Sequence, residues 1–241
     1  MLKPILGIFG GMGPEATVDF YREIIRSTPA VKDQDHIPTL IYSLPQVPDR
    51  TQSILHRDLS IVPYVVEGVQ RLERAGASFI SIPCNTVHFY YNEMIEAVSI
   101  PILHIAQEAV KEILTEHPGS RRIGLLATEG TIRSGIYENA LREHGFDVIV
   151  PDPTVETEKV MKAVYGIKAG ADKKISAELL SDAGRHVVEK GAELIVLGCT
   201  EIPLAFEKGR MSVPVVNATE VLAKSAIRMY VELTRCNDTV G

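Results

Sequence analysis

The sequence predicts an α/β fold with two similar, pseudo-twofold-related α/β domains, mainly parallel sheets, and the active site in the cleft between the domains. Short apolar runs alternate with longer amphipathic segments along the 241 residues, and a pattern of the first half recurs in the second. Strands separated by helical segments are typical of βαβ units, which build parallel sheets. The recurrence predicts one such sheet in each half.

Each element follows from its local pattern. Short runs rich in Ile, Val and Leu predict strands, whereas longer segments with an apolar residue every three or four positions predict helices. The predicted strands are residues 5–10, 39–44, 79–83, 101–103, 123–127, 148–150, 194–198 and 214–216. The predicted helices are residues 15–26, 53–74, 131–144, 177–190 and 219–235.

An internal repeat is the most informative of these signals. The segment "RAGASFISIPCNT" aligns with "EKGAELIVLGCTE" at a constant offset of 115 residues. On either side of these central segments, "LGIFGGMG" (6–13) resembles "IGLLATEG" (123–130), and "SIPILH" (99–104) resembles "SVPVVN" (212–217). The matched positions of the central segments are Gly76 and Gly191, Ala77 and Ala192, Ile80 and Ile195, and Cys84 and Cys199.

The repeat predicts two domains. Residues 1–105 together with 218–241 form the first, to which the C-terminal helix returns, and residues 106–217 form the second. The halves are joined near "TEHPGSRR" (115–122), where Pro, Gly and charged residues interrupt the apolar pattern.

Composition excludes several classes of protein. A hydrophobic fraction of 45% and a charged fraction of 23% suit an enzyme-sized soluble protein. The formal net charge is −6 and no basic block stands out, so no nucleic-acid partner is predicted. No apolar run spans a bilayer and the first residues lack signal-peptide features, which predicts a cytoplasmic protein without a membrane partner. Three widely spaced cysteines indicate reduced thiols.

Cys84 and Cys199 lie where ligands bind in open α/β sheets, beyond the carboxyl end of a strand. A lone cysteine there is usually a small buried hydrophobe, but two at matched positions of a repeat indicate a shared role. A free thiol has a pKa of about 8.5 that helix N-termini lower, so one thiol can act as a base and its protonated partner as an acid. Two thiols facing one cleft would invert a carbon centre without an organic cofactor. Cys236, in the polar tail, is assigned no role.

Other motifs are weaker. "GIFGGMGPEA" follows a strand, but its spacing is not G-x-G-x-x-G and no acidic residue ends the next strand, which argues against a dinucleotide. The seven histidines form no zinc-binding pattern, so no metal is predicted. His88 either activates Cys84 from the next helical turn or is an ordinary helix residue. Glu201 either tunes Cys199 or caps the following helix.

The residues resemble those of the aspartate/glutamate racemase superfamily, and most those of its aspartate racemase branch. The resemblance rests on "GIFGGMGPEAT" (7–17), "PCNTVH" (83–88), "LLATEGT" (125–131) and "GCTEIP" (198–203), in that order over nearly the whole chain. It implies a cofactor-independent enzyme, free of pyridoxal phosphate, that interconverts L- and D-aspartate. It also implies that the two matched cysteines, named above, are the catalytic residues of a two-base proton transfer at the α-carbon.

The resemblance further implies a substrate-binding shell. Arg50 in "VPDRTQ" and Lys168 in "YGIKAG" match positions that lie near the side-chain carboxylate in aspartate racemases. An acidic protein that binds a dicarboxylate must supply local cations, and both residues lie in segments that read as loops. The implied shell is Met12, Arg50, Gln52, Asn85, Thr86, Val87, Thr128, Lys168 and Thr200.

Sister activities stay open. Glutamate racemases usually begin with an Asp-Ser-Gly turn and carry His two residues after the second cysteine, where this chain has "GGMGP" and Glu201. Broad-specificity racemases share the "GGM" turn but tend to lose the equivalents of Arg50 and Lys168. The alternatives are a broad-specificity amino-acid racemase acting on glutamate or others, a related cysteine-dependent isomerase or decarboxylase, and a non-catalytic amino-acid-binding protein. The resemblance also implies a homodimer, without marking its contact surface.

Overall fold

Seven strands and a larger number of helices make up the described chain. The computed structural model describes residues 3–239, with side chains as far as Cys236. The strands are β1 (Leu6–Gly10), β2 (Thr39–Ser43), β3 (Phe79–Ser81), β4 (Arg122–Ala127), β5 (Asp147–Ile149), β6 (Leu194–Gly198) and β7 (Val215–Asn217). The α-helices are α1 (Pro14–Ser27), α2 (Arg50–His56), α3 (Val62–Arg74), α4 (Tyr91–Glu96), α5 (Ile105–Glu116), α6 (Glu129–Ser134), α7 (Ile136–Arg142), α8 (Pro153–Val155), α9 (Lys162–Lys168), α10 (Lys173–Glu189) and α11 (Ala218–Thr239). Short 3-10 helices span Asp33–Asp35, Leu59–Ile61, Thr86–Tyr90, Ile202–Leu204 and Lys208–Arg210, and a π-helix spans Glu156–Met161.

The first sheet has the strand order β2-β1-β3, and both pairings are parallel. Every residue of β1 is buried, which explains its unbroken apolar run, since a central parallel strand is covered on both faces. The predicted strand 101–103 contributes one bridge, between Ile80 and Ile102. Its pairing stops early because Pro101 has no N–H to donate and only accepts a bond from Ile80.

The second sheet has the strand order β5-β4-β6-β7, again with parallel pairings throughout. Its inner strand β6 is fully buried and packs on α10 through residues such as Leu180 and Val187. The predicted α/β class with mainly parallel sheets is therefore confirmed, whereas the pseudo-twofold relation of the two halves stays a prediction.

Contacts divide the chain into two units. The first comprises Met1–Pro48, Leu59–Ile105 and Thr219–Gly241 as far as they are described, and the second comprises Asp49–Asp58 and Ala106–Ala218. The sequence division differs in that it places residues 49–58, which contain Arg50 and Gln52, in the first half.

Close packing of α2 on α6 explains this grouping. A Cβ on Gly130 of α6 would lie 2.7 Å from the Cα of Thr51 in α2, so the two helices approach backbone to backbone where a side chain is missing. The two residues predicted to be loop-borne cations also lie at helix ends, because Arg50 begins α2 and Lys168 ends α9.

Two predicted long helices are each broken in the structure. The predicted helix 53–74 becomes α2 and α3, separated by Arg57 in the left-handed conformation (φ 53°). The predicted helix 131–144 becomes α6 and α7, separated by Gly135 at φ 71°. Glycine adopts that conformation without strain, so the second break follows a signal in the sequence and the first, at an arginine, does not.

Candidate active site

The first cysteine follows β3 at the carboxyl edge of the first sheet. Cys84 is buried with 5% of its surface exposed, and its backbone N–H donates to the carbonyl of Ile82 (2.8 Å). The buried residues Asn85, Thr86 and Val87 follow it and enter a 3-10 helix. The side chain of Met12 is likewise buried and lies in the turn after β1.

Strand pairing brings these segments to one edge of the sheet. Because β1 and β3 are parallel neighbours, the turn after each of them lies at the same carboxyl edge. The turn after β1 needs its glycine, since Gly11 has φ +93° and a Cβ there would lie 2.4 Å from the backbone nitrogen of Leu44. Thr17 of α1 fastens the turn by accepting from the Gly11 N–H (2.8 Å) and donating to the Gly13 carbonyl (2.9 Å).

The second cysteine follows β6 in the same manner. Cys199 is also 5% exposed, and its thiol donates to Oε2 of Glu201 across 3.2 Å. The hydroxyl of Thr200 donates to the same oxygen across 3.4 Å. All three side chains are buried, so the thiol–carboxylate contact is shielded from water and correspondingly strong.

The surroundings of Cys199 keep its thiol protonated. Burial raises the pKa of Cys199 well above its ordinary value, and the negative charge of Glu201 raises it further, while Lys168 opposes both. The thiol is therefore a proton donor at rest. Its hydrogen-bond acceptor is the adjacent Glu201 carboxylate.

Lys168 lies next to this carboxylate. Its Nζ is 4.0 Å from Oε1 of Glu201, at the limit of an ion pair, and the side chain is 27% exposed. It also lies 5.7 Å from the ring centroid of Tyr165, one helical turn earlier, which is within range of a cation–π contact. The sequence predicts that Lys168 binds the substrate, and the structure adds an acidic partner within the protein.

Tyr165 joins the Arg50 segment to this cluster. Its hydroxyl donates to Oδ2 of Asp49 (3.3 Å), and it also bonds to the side chain of Gln52. Asp49 in turn caps α2 by accepting from the Gln52 backbone N–H (2.9 Å). Burial raises the pKa of Tyr165, and Asp49 adds to the rise, so the phenol stays neutral and donates.

Sequence reasoning missed Tyr165 and left Glu201 undecided. Tyr165 stands three residues before Lys168, a spacing that places both on one helix face, and this signal was available in "YGIK". A further residue that it missed is Tyr137 of α7, which is fully buried near Cys199. Burial raises the pKa of Tyr137, and the charge of a Cys199 thiolate would raise it further.

Thr128 lies at the carboxyl end of β4, the parallel neighbour of β6. Its side chain caps α6 by accepting from the Thr131 backbone N–H (3.3 Å), and the two hydroxyls lie 3.0 Å apart. Thr128 therefore orients the start of α6 at the edge of the sheet that also carries Cys199.

The structure thus gathers the predicted residues into two sets, one in each unit. The first unit holds Met12, Cys84, Asn85, Thr86 and Val87. The second unit holds Arg50, Gln52, Thr128, Lys168, Cys199 and Thr200.

Three features bear on alternative chemistry. All three cysteines are free thiols. No group of three or more His, Cys, Asp or Glu side chains among residues 3–236 is arranged to hold a metal ion. No helix within residues 3–239 is both long and apolar enough to cross a membrane.

Comparison with known proteins identifies the family. A family model described as Asp/Glu/Hydantoin racemase matches residues 9–226, so the chain belongs to that family and the resemblance is confirmed. The broad specificity amino-acid racemase RacX of Bacillus subtilis is 31% identical over 230 residues, which cover 94% of this chain and 98% of that protein.

Solved structures agree with this assignment. The Picrophilus torridus aspartate racemase superposes with a TM-score of 0.84 at 30% identity, covering 95% of this chain and 94% of that one. An aspartate racemase homologue from Pyrococcus horikoshii OT3 gives a TM-score of 0.75 at 26% identity, covering 95% of this chain and all of the other.

Proposed function

We propose that this protein is a cofactor-independent amino-acid racemase that interconverts L- and D-aspartate, with Cys84 and Cys199 as its two bases. One thiolate removes the α-proton, which leaves the electron pair on the α-carbon and the neighbouring carboxylate. The opposite thiol then delivers its proton to the other face of that carbon. The reaction ends with the protonation states of the two sulfurs exchanged.

The observation that carries the proposal is the contact between Cys199 and Glu201. A protonated, buried thiol bonded to a carboxylate at 3.2 Å has a route by which its proton can leave and return without a cofactor. A purely structural cysteine has no need of this partner. The free and equally buried Cys84, at the matched strand end, supplies the second thiol.

Backbone N–H groups complete the chemistry in the proposal. Each cysteine is followed within a few residues by a 3-10 helix, and in the proposal backbone N–H groups after each cysteine bind the substrate carboxylate. Neutralising the substrate carboxylate stabilises the charge that develops when the α-proton leaves. That both thiols face one substrate carbon is part of the proposal.

A second candidate function differs from the first in its range of substrates. Aspartate is favoured by Arg50 and Lys168 and by the aspartate racemase among the similar structures. A broad-specificity racemase is favoured by the RacX relative and by the ion pair of Lys168 with Glu201, since a lysine held by a protein carboxylate binds a substrate carboxylate less strongly. In that case Lys168 balances the charge of Glu201, which in turn accepts the hydrogen bond of the Cys199 thiol.

Exchange of the α-proton with solvent tests the proposed activity. Each enantiomer of aspartate is incubated with the protein in D₂O, while NMR follows the α-proton and polarimetry follows the optical rotation. We expect deuterium at the α-position and decay of the rotation to zero, because the incoming proton comes from a thiol that exchanges with solvent.

Running alanine, serine and glutamate in parallel separates the two candidates. Exchange confined to aspartate supports the narrow assignment, and comparable exchange of all four amino acids supports the broad one. If the protein binds aspartate but leaves both α-proton and rotation unchanged, it is a binding protein and the proposal is wrong.

Arg50 provides the specificity prediction. We expect Arg50→Ala to lower kcat/KM for aspartate about 10- to 100-fold, the usual cost of losing a hydrogen bond to a charged group, with alanine and serine affected much less. Steady-state kinetics on the three substrates measure the ratio. Arg142→Ala is the matched control, since Arg142 lies on α7 and pairs with Glu138 on the surface. An equal fall for all three substrates in Arg50→Ala would remove the side-chain role.

A further inference from the structure

His88 lies four residues after Cys84 in the 3-10 helix Thr86–Tyr90, and only 2% of its surface is exposed. Its Nδ1 lies 2.8 Å from the carbonyl oxygen of Cys84. Its Nε2 lies 3.3 Å from the backbone nitrogen of Ile105 and 3.3 Å from the carbonyl oxygen of Leu103. The ring therefore connects the peptide of Cys84 with Ile105, the last residue of the segment Leu59–Ile105 of the first unit.

The distances indicate the tautomer. A carbonyl oxygen only accepts, and the Cys84 oxygen lies closer to Nδ1 (2.8 Å) than the Leu103 oxygen lies to Nε2 (3.3 Å), so we assign the proton to Nδ1, which donates to Cys84. Nε2 then holds the lone pair and accepts from the Ile105 N–H. One neutral ring thus satisfies a donor and an acceptor of the buried backbone at the same time.

The environment keeps the ring neutral. Burial lowers the pKa of His88, and the neighbouring ring of His104, whose centroid is 5.0 Å away, has its own pKa lowered to about 3, chiefly by burial. Tyr91 packs on both rings, at centroid distances of 6.2 and 4.7 Å, and its hydroxyl donates to the Ile102 carbonyl (2.8 Å). A neutral ring supplies no positive charge to a thiolate, so His88 does not activate Cys84 as an imidazolium.

We propose that His88 is a positioning residue for Cys84, whose carbonyl it holds and whose following peptide it thereby orients. The inference rests on the proposed function. In a planar trans peptide the N–H points away from the preceding C=O, so fixing the Cys84 carbonyl toward the ring aims the Asn85 N–H in the opposite direction. That N–H belongs to the group proposed to bind the substrate carboxylate, and small errors in such placement cost about 100-fold in rate.

Two amide substitutions separate positioning from packing. His88→Asn places an amide nitrogen near the position of Nδ1, where it can donate to Cys84. His88→Gln places it near the position of Nε2 and leaves the Cys84 carbonyl without its donor. Both variants put an amide among buried rings, so comparable melting temperatures are expected, and His104→Phe controls for disturbance of the ring cluster.

Exchange in D₂O provides the first readout. Cys84 is proposed to remove the α-proton of one enantiomer, which is identified as the enantiomer that stops exchanging in Cys84→Ser. For that enantiomer we expect His88→Gln to lower the exchange rate by at least about 10-fold, and His88→Asn to restore most of it. Exchange of the opposite enantiomer, which depends on Cys199, should change much less. Equal losses for both variants, or for both enantiomers, would mean that His88 only supports packing and would overturn the inference.

Thiol alkylation provides a readout that does not depend on catalysis. Iodoacetamide labelling followed by peptide mass spectrometry reports Cys84, with the exposed Cys236 as internal standard. We expect the ratio of Cys84 to Cys236 labelling to match wild type in His88→Asn and to differ from it in His88→Gln. If wild type exchanges the α-proton of no amino acid, the proposed function is wrong and these ratios alone decide on His88. Identical ratios in the two variants overturn the inference.

Discussion

We expect the replacement of either Cys84 or Cys199 by serine to lower kcat/KM for the proposed racemisation of aspartate by at least about 1,000-fold. In the proposed mechanism each direction of the reaction needs one sulfur as the base and the other as the acid, so both sulfurs are required. A serine hydroxyl keeps the volume and the polarity of the site but is a far weaker acid than a thiol, and it cannot become the base.

Racemisation and exchange respond differently to these substitutions. L- and D-aspartate have equal free energies in water, so any variant must lower kcat/KM by the same factor in both directions. Exchange in D₂O carries no such constraint, because the base that removes a proton can return a deuteron to the same face. Each serine variant should therefore keep exchange for one enantiomer only, and the two variants should keep opposite enantiomers.

The control for this experiment is Cys236→Ser, which alters an exposed thiol and should leave both measurements unchanged. Three outcomes would contradict the two-base model: racemisation retained in either active-site variant, exchange of both enantiomers in one variant, or retention of the same enantiomer in both. Circular dichroism of each variant separates lost chemistry from a lost fold.

The two thiols differ in the groups that surround them. Cys199 donates to Glu201, and Lys168 lies beside the same carboxylate, so a proton leaving this sulfur has an acceptor whose charge is balanced. The peptide of Cys84 instead contacts the neutral ring of His88. Cys199 is therefore expected to be protonated at rest, because burial and the charge of Glu201 both raise its pKa.

Local patterns were sufficient to predict all seven strands of the described chain, although the predicted strand 101–103 forms only one bridge, and they drew attention to two cysteines that follow strand ends. A buried parallel strand must be apolar on both faces, so the runs at β4 and β6 are visible in the sequence without any tertiary information. The matched cysteines were visible for a similar reason, because the repeat placed both at strand ends. These features depend on neighbours along the chain.

Features that depend on distant neighbours were not predictable. The grouping of α2 with the second unit depends on the absence of a side chain at Gly130, some eighty residues later in the chain. The hydrogen bond of Tyr165 to Asp49 spans 116 positions. Likewise, Arg57 carries no signal for its left-handed conformation, so one amphipathic segment was predicted as one helix where the structure has two.

Glu156 is another residue that the sequence did not single out, and it has a large predicted effect on stability. It begins the π-helical stretch Glu156–Met161 and is only 7% exposed. Within the described part of the chain, neither of its carboxyl oxygens has a hydrogen-bond partner. Burial raises its pKa from 4.5 to about 8, and the nearby negative charge of Glu129 adds to the rise.

The sign of the pH dependence follows from linkage. In the unfolded chain the carboxyl ionises near its ordinary pKa of 4.5, whereas in the folded chain it stays protonated up to about pH 8. Below pH 4.5 the carboxyl is protonated in both states and does not weaken folding. As the pH rises from 4.5 to about 8, the unfolded chain ionises while the folded chain does not, so the free energy of unfolding falls. The shift corresponds to about 5 kcal/mol at most, at about 1.4 kcal/mol per pKa unit, which is a large part of the net stability of a typical protein.

Glu156→Gln should remove this dependence, because the amide has nearly the same shape and does not ionise. We expect the free energy of unfolding of the variant, measured by urea titration between pH 5 and 9, to fall less steeply with pH than that of wild type, so that the variant is the more stable protein at pH 9. Glu158→Gln is the matched control, since Glu158 lies in the same π-helical stretch but is exposed. If the free energy of unfolding varies with pH in the same way for wild type and Glu156→Gln, then Glu156 ionises near its ordinary pKa in the folded protein and the prediction is wrong.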